Sequence, residues 1–457
     1  MKYDEFLKHK EIVVPSVGLD VSKDSINPKM FDFQRDIVLW ALKKGKAAIF
    51  AGTGLGKTFM QLEWASHIDG TVLILAPLAV SKQTILEGRK YGIDVTHCNE
   101  QADIIPNGIN ITNYERMDRF DFSQFRGIVL DESSILKAQT GKIRTQLIDY
   151  CRQIPFRLAC TATPAPNDLM ELCNHSEFLG VMSSVEMLAT FFVHDGGDTS
   201  KWRLKKHAVK DFWRWVASWS VMLTNPSDLG YDGSRYILPK LTMYQHTVET
   251  ETTPEYLFAV EAKSLKERQQ ARRDSVDDRA AKCAELVNAD NEQWLVWCNL
   301  NDEADALKKL IPEAVEIRGS DKPEVKEQAA VDFATGNIRV LISKPLIFGM
   351  GLNFQLCHKM AFVGLSDSFE QYYQAVRRSW RFGQTKPVDV HIITADTEGA
   401  VVENIQRKER QFNDMLHGMI AVTQDITKAN IHATHRQTNA YNPHEDMILP
   451  PWLSSVA

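Results

Sequence analysis

Short apolar, β-rich runs alternate with helix-length amphipathic stretches in two separate regions of the chain. The first set covers 47–52, 71–77, 109–113, 127–130 and 157–163; the second covers 293–299, 315–319, 338–345, 360–365 and 388–394. Continuous apolar strands separated by helices predict parallel sheets covered on both faces. Two such sets predict two α/β domains, here bounded as 29–176 and 254–418, behind a short lead at 1–28.

The stretch between them, 177–253, differs in pattern and is expected to be a helical insertion. Phe212, Val216, Trp219 and Leu223 recur at helical spacing and predict one apolar stripe, with Lys210 and Arg214 on another face. That spacing favours a packed core over base stacking for Phe212, Trp213 and Trp215. Periodicity fades from Met419, so 419–457 is expected to be a tail.

Composition narrows the class without deciding it. The 457 residues suggest about three domains' worth of chain. A hydrophobic content of 44% excludes wholesale disorder, and a formal charge of −6 excludes a uniformly basic nucleic-acid coater. The seven cysteines never fall in CxxC spacing, which argues against a zinc module or a disulfide framework. The N-terminus has no signal-peptide-like apolar core, and no apolar run is long enough to span a bilayer. A soluble, cytoplasmic protein without membrane contact is therefore expected. His432, His435 and His444 read as surface histidines, since no cysteine or ordered carboxylate set accompanies them.

The chemistry begins at Ala51–Thr58, AGTGLGKT, placed between an apolar run and a helical pattern. Gly52, Gly54 and Gly56 let backbone N–H groups turn toward a phosphate without Cβ obstruction. Thr53 and Leu55 complete the cradle. Lys57 is placed to reach the β- and γ-phosphates of ATP, and Thr58 to hold Mg²⁺. Position 51 is Ala where the strict loop pattern has Gly. Downstream, Ile128–Leu130 ends in Asp131 and Glu132. Asp131 at a strand's carboxyl end suits Mg²⁺, and Glu132 suits the polarisation of an attacking water.

In order, Phe33-Gln34, Ala76-Pro77, Ile111–Glu115, Asp131–Ser134 and Thr161–Pro164 resemble motifs of the superfamily 2 helicases. Ser343-Lys344, Gly349–Asn353 and Gln374–Gln384 continue the series, the last as QAVRRSWRFGQ. That final element is similar to the Swi/Snf-type ATPases that translocate on double-stranded DNA. The resemblance spans about residue 30 to about 412 and implies two RecA-like domains in tandem, with ATP and Mg²⁺ at the cleft between them. It implies that Gln34 reads the adenine and that Gly351 lies beside the nucleotide. Thr161, Thr163 and Gln374 would couple the site to motion, and Arg378 and Arg381 would stabilise charge on the transferred phosphoryl group. Pro77, Thr112, Asn113, Ser343, Lys344 and Asn353 would lie along the DNA backbone. Ser134 departs from the His, Asp or Gln that relatives often carry, so coupling there implies a different hydrogen bond. The spacing before Asn353 is longer by one residue, as in compact helicases of bacterial viruses, so a bacterial or phage-infected cytoplasm is the expected setting.

Lys201–Trp215 holds six Lys/Arg against one Asp, including Lys205 and Lys206, and Lys263–Arg273 is a second basic run. Both suit DNA phosphates, and both suit a solvated surface equally well. A DNA-stimulated ATPase moving on duplex with little sequence preference is the leading reading. A strand-separating helicase and a nucleotide-switched loading or scaffold ATPase remain beside it. A small-molecule kinase is the remaining alternative, against which the second domain argues.

Overall fold

The computed structural model describes residues 14–78, 80–137, 141–195, 198–249, 272–348 and 353–432. The expected N-terminal lead as far as residue 13, Gly351, most of the basic run Lys263–Arg273, and the tail beyond His432 with His435 and His444 lie outside them.

The first sheet contains β1 (Lys46–Ala51), β2 (Val72–Ala76), β3 (Val95–His97), β4 (Ile109–Asn113), β5 (Gly127–Asp131) and β6 (Phe156–Thr161). A hairpin, β7 (Phe192–Asp195) and β8 (Asp198–Leu204), stands apart from it, and β9 (Ser220–Leu223) returns to the sheet. The order is β3-β4-β2-β5-β6-β1-β9, parallel throughout. Alternate residues of β2 enter two cores: Leu73 and Leu75 on one face, Val72, Ile74 and Ala76 on the other. Burial on both faces is why these strands read as unbroken apolar runs.

The second sheet is also parallel. It contains β10 (Leu241–Val248), β11 (Trp294–Cys298), β12 (Val315–Glu316), β13 (Val340–Ser343), β14 (Lys359–Val363) and β15 (Val388–Ala395), ordered β10-β15-β14-β11-β13-β12. Trp297 packs into one core and Trp294 into the other. Two parallel-sheet domains of RecA-like α/β type are thus present.

The stretch expected to be a helical insertion is divided between them. Its helix Val209–Trp219 buries Phe212, Trp213, Trp215, Val216 and Trp219 in the first domain's core, as a packed stripe demands. The stripe ends sooner than its spacing suggests, because Leu223 belongs to β9, which pairs with β1. Ser220 gives its hydroxyl to the carbonyl of Val216 as its own backbone turns extended, so the last turn closes there. After β9 the chain crosses over and lays β10 along β15 for eight residues.

The chain's order also does not fade at Met419. One helix runs from Gly399 to His432. Phe412 lies in the core of the second domain, while Met419 is fully buried in that of the first. Met415 and Leu416 pack against both. Four apolar residues (Met415, Leu416, Met419 and Ile420) share one helix face and carry the pattern past the expected boundary. No helix among the described residues is long and apolar enough to cross a membrane.

Candidate active site

The glycine loop leaves β1 at its carboxyl end, and Gly56 begins the helix Lys57–Ser66 in the left-handed conformation, φ 81°. Gly54 has φ 87°. A Cβ on Gly54 would stand 2.8 Å from Cβ of Phe382, so the second domain rests directly on the loop's crest. Lys57 Nζ donates to the carbonyls of Ala51 (2.9 Å) and Gly52 (3.3 Å), and burial lowers its pKa against the opposing pull of Glu132 and Asp131. Thr53 Oγ1 is buried with no hydrogen-bond partner among the described residues.

β6 separates β5 from β1, and this order brings the acidic strand end beside the loop. Asp131 is 5% exposed and accepts from Gln61 Nε2 at 2.7 Å and from the backbone N–H of Glu132 at 3.1 Å. Its backbone carbonyl accepts from the Tyr114 hydroxyl at 2.7 Å. Glu132 has φ 52°, an uncommon conformation for a residue with a Cβ, and it ends the strand abruptly. Thr161 at the end of β6 reaches Glu132 Oε2 at 3.4 Å while accepting from the N–H of Thr163 at 3.1 Å. Burial raises the pKa of both carboxyls, Lys57 opposing in each case and Gln61 in that of Asp131.

From the second sheet comes the helix Phe369–Val376, followed by Arg378 and Arg381. Arg378 is 5% exposed, and its pKa is pushed down to about 10 by burial, with Arg381 adding to the effect and Glu132 opposing it. Arg381 also falls to about 10 by burial, with Glu87 opposing. Arg381 donates to Asn353 Oδ1, and Arg378 Nε to the carbonyl of Gln374 at 3.2 Å. Gln374 itself is buried. One cleft therefore gathers a lysine, two carboxylates and two arginines from opposite sheets.

Residues 278–383 match the family model described as the helicase conserved C-terminal domain. The chain carries a helicase-type C-terminal domain. The match spans β11 to β14 and closes just past Arg381, so the arginine-bearing wall of the cleft belongs to it. No curated protein matches the chain. An ATP-hydrolysing nucleic-acid motor is the general type that such a domain supports.

Other expected positions fare differently. Gln34 is buried, and its carboxamide is engaged at both ends, accepting from Phe31 N–H (3.0 Å) and donating to Leu55 O (2.9 Å). In this conformation it braces the loop instead of facing a base. Thr112, Asn113 and Ser343 are buried at 0, 3 and 1% exposure, so none presents its side chain to a DNA backbone here. Their strands β4 and β13 lie inside their sheets, flanked on both sides, which accounts for the burial. Lys344 binds Asn301 Oδ1 at 2.7 Å, and Pro77 is partly exposed. Lys205 caps the helix Ser184–Phe191 through the carbonyls of Ala189 and Thr190, whereas Lys206 is exposed. Arg272, from the second basic run, is buried against Glu398 at 3.2 Å and faces no solvent track.

Sequence reading missed Gln61 and Glu370, and the role of Tyr114 beneath Asp131. Gln61 stands four residues after Lys57, one helical turn along the same face, and that spacing was a usable signal. Tyr114 stood inside the Ile111–Glu115 motif but without its bond to the Asp131 carbonyl, and nothing comparable marked Glu370, whose partners are remote in sequence.

Proposed function

We propose that the protein is a compact Swi/Snf-like translocase that hydrolyses ATP in the cleft between its two sheets and moves on duplex DNA. The observation that carries this reading is the approach of Arg378 and Arg381, from one sheet, to Lys57 and Glu132, from the other. A single phosphate-binding domain leaves developing charge on one side unanswered, and a second wall of arginines answers it. Arg378 and Arg381 are three residues apart, and the charge of Arg381 bears on Arg378.

The residues present fit a magnesium nucleotide. Thr58 and Asp131 supply the hard oxygen donors that Mg²⁺ prefers, and Thr53 Oγ1 is a buried hydroxyl awaiting an acceptor. Mg²⁺, when bound with ATP, neutralises charge on the phosphate oxygens. Gly54 and Gly56 take left-handed turns that keep the crest of the loop free of Cβ atoms, and Lys57 has its amine already at the loop. Glu132, held by Thr161 and raised in pKa by burial, takes the proton of the attacking water. Thr163 and Gln374 transmit the state of the cleft, with Gln34 bordering the nucleotide through the loop it braces.

DNA contacts follow from the exposed Lys206 and the half-buried Lys344, with Pro77 and Asn353 along the same path. Such contacts position without reading sequence. Seven buried free thiols suit a reducing cytoplasm, bacterial or phage-infected.

The test is ATP hydrolysis with linear duplex, single-stranded DNA and RNA, at two salt concentrations. Stimulation by duplex, lost in Arg381→Ala and weakened by salt, is expected. Equal rates with and without duplex overturn the translocase reading. Unwinding of a forked duplex without displacement of a triplex strand would instead identify a strand-separating helicase.

A further inference from the structure

The turn after Asp131-Glu132 carries Ser134, which gives its hydroxyl not to a neighbour in its own domain but to Glu370 Oε1 of the other, at 2.5 Å. Lys137, on the same turn, pairs with the second oxygen, Glu370 Oε2. Ser134 is 2% and Glu370 8% exposed, so their contact is shielded from water, while Lys137 reaches it from the solvent side. A buried carboxylate is stable only when its lone pairs are met, and this one meets a hydroxyl and an ammonium from across the domain boundary.

Both ends of the junction are stiff. On the first domain, Asn174 Nδ2 donates to the carbonyl of Leu136 at 2.8 Å, and Ser133 bonds His175 at 3.0 Å, fixing the turn to the helix Glu171–Leu179. On the second, Glu370 occupies the first turn of the helix Phe369–Val376, where a negative charge suits the helix dipole. The backbone passes from that helix into Arg378 through the bonds of its N–H to Ala375 O (3.2 Å) and of Phe354 N–H to its own carbonyl (2.9 Å). A displacement at Glu370 is therefore carried to Arg378, two helical turns on.

We propose that Glu370, gripped by Ser134 and Lys137, is a positioning residue that sets Arg378 against Glu132 across the cleft. It answers the departure at Ser134: the short hydroxyl replaces longer side chains because its partner is a glutamate reaching over from the second domain. The inference rests on the ATPase reading for its kinetic consequence but not for its structural one.

The experiment uses the full chain and the variants Ser134→Ala, Lys137→Met, Glu370→Ala, the double Ser134→Ala/Glu370→Ala, and the conservative Ser134→Thr. Backbone hydrogen exchange is followed without nucleotide in peptides covering 127–137 and 369–382, beside kcat and KM for ATP. Ser134→Ala and Glu370→Ala are each expected to speed exchange in both peptides and to lower kcat about tenfold with KM within about twofold. The double variant is expected to be no worse than Glu370→Ala alone, because both remove one contact. Ser134→Thr, keeping the hydroxyl, is expected to restore kcat. Exchange that rises only around the mutated residue, or losses that multiply in the double variant, overturn the proposal. A wild-type chain without ATPase activity on any nucleic acid would overturn the functional reading, while the exchange coupling between the two peptides would still decide this one.

Discussion

Replacing Gln61 by Met removes one amide from beneath the candidate metal ligand while keeping the volume and helix preference of the site. Gln61 is fully buried, and its Nε2 lies 2.7 Å from Asp131 Oδ1. A hydrogen bond to a charged acceptor contributes about 1.5–3 kcal/mol net. Asp131 keeps the N–H of Glu132 at 3.1 Å, so it is weakened and not orphaned. At about 1.4 kcal/mol per decade, Mg²⁺ affinity should fall about 10- to 100-fold, the range seen when groups behind a ligand are removed. A sign follows as well. Burial already holds the Asp131 carboxyl above its ordinary pKa, and Gln61 is the first group opposing that rise. Its loss favours the protonated acid further, so the acidic limb of activity should move to higher pH. The assay is a Mg²⁺ titration of ATP hydrolysis at several pH values, with thermal unfolding as the control for folding. An unchanged Mg²⁺ midpoint and acidic limb in a folded variant would refute the placement of Asp131 at the metal.

Four further outcomes follow. Arg279, fully buried, donates to Glu303 at 2.7 Å and to Ser275 at 3.0 Å and faces Glu398 at 3.5 Å, so Arg279→Ala should destabilise by about 3–5 kcal/mol in urea unfolding. Arg318→Ala, which breaks the surface pairs with Asp305 and Glu316, should leave the unfolding midpoint nearly unchanged in the same measurement. Gly54→Ala should weaken ATP binding or raise KM sharply, because a side chain at φ 87° both strains the loop and meets Phe382; equilibrium nucleotide binding reads this. Glu171 and His175 oppose each other in pH dependence. Burial raises Glu171 to about 7, so its contribution is present at low pH and is lost as pH rises toward 7. Burial lowers His175 to about 4, so its contribution is present above its ordinary value and is lost as pH falls from about 6.5 toward 4. Relative to wild type, Glu171→Gln should therefore lose, and His175→Gln gain, stability on going from pH 7 to pH 5, read as denaturation midpoints.

The two sheets were legible because parallel strands buried on both faces leave apolar runs, and ten of them stood out, from the β1 region to that of β15. What escaped were the edges. β3 is three residues long, and β10, Leu-Thr-Met-Tyr-Gln-His-Thr-Val, is half exposed at the sheet margin, so polar residues break its pattern. β9 was hidden because its apolar residues continued the stripe of the helix before it. In the site, the loop and the acidic pair were readable from local spacing, since each is one strand and one turn. Gln61 was readable in principle from its distance to Lys57. Glu370 was not, because its partners lie 233 and 236 residues away and only folding joins them. The burial of Thr112 and Asn113 was equally hidden, since a strand's sequence does not reveal which neighbours cover it.

The helix from Gly399 to His432 has a mechanical consequence. It is 34 residues long, hence about 50 Å from end to end. Its middle is seated in both domains at once, through Phe412 on one side and Met419 on the other. Such a rod cannot be left behind when the cleft opens, and it converts rotation at the seat into travel at a tip. Met419 and the helix's end at His432 are about 20 Å apart, so a tilt of about 10° at the seat displaces that end by roughly 3.5 Å.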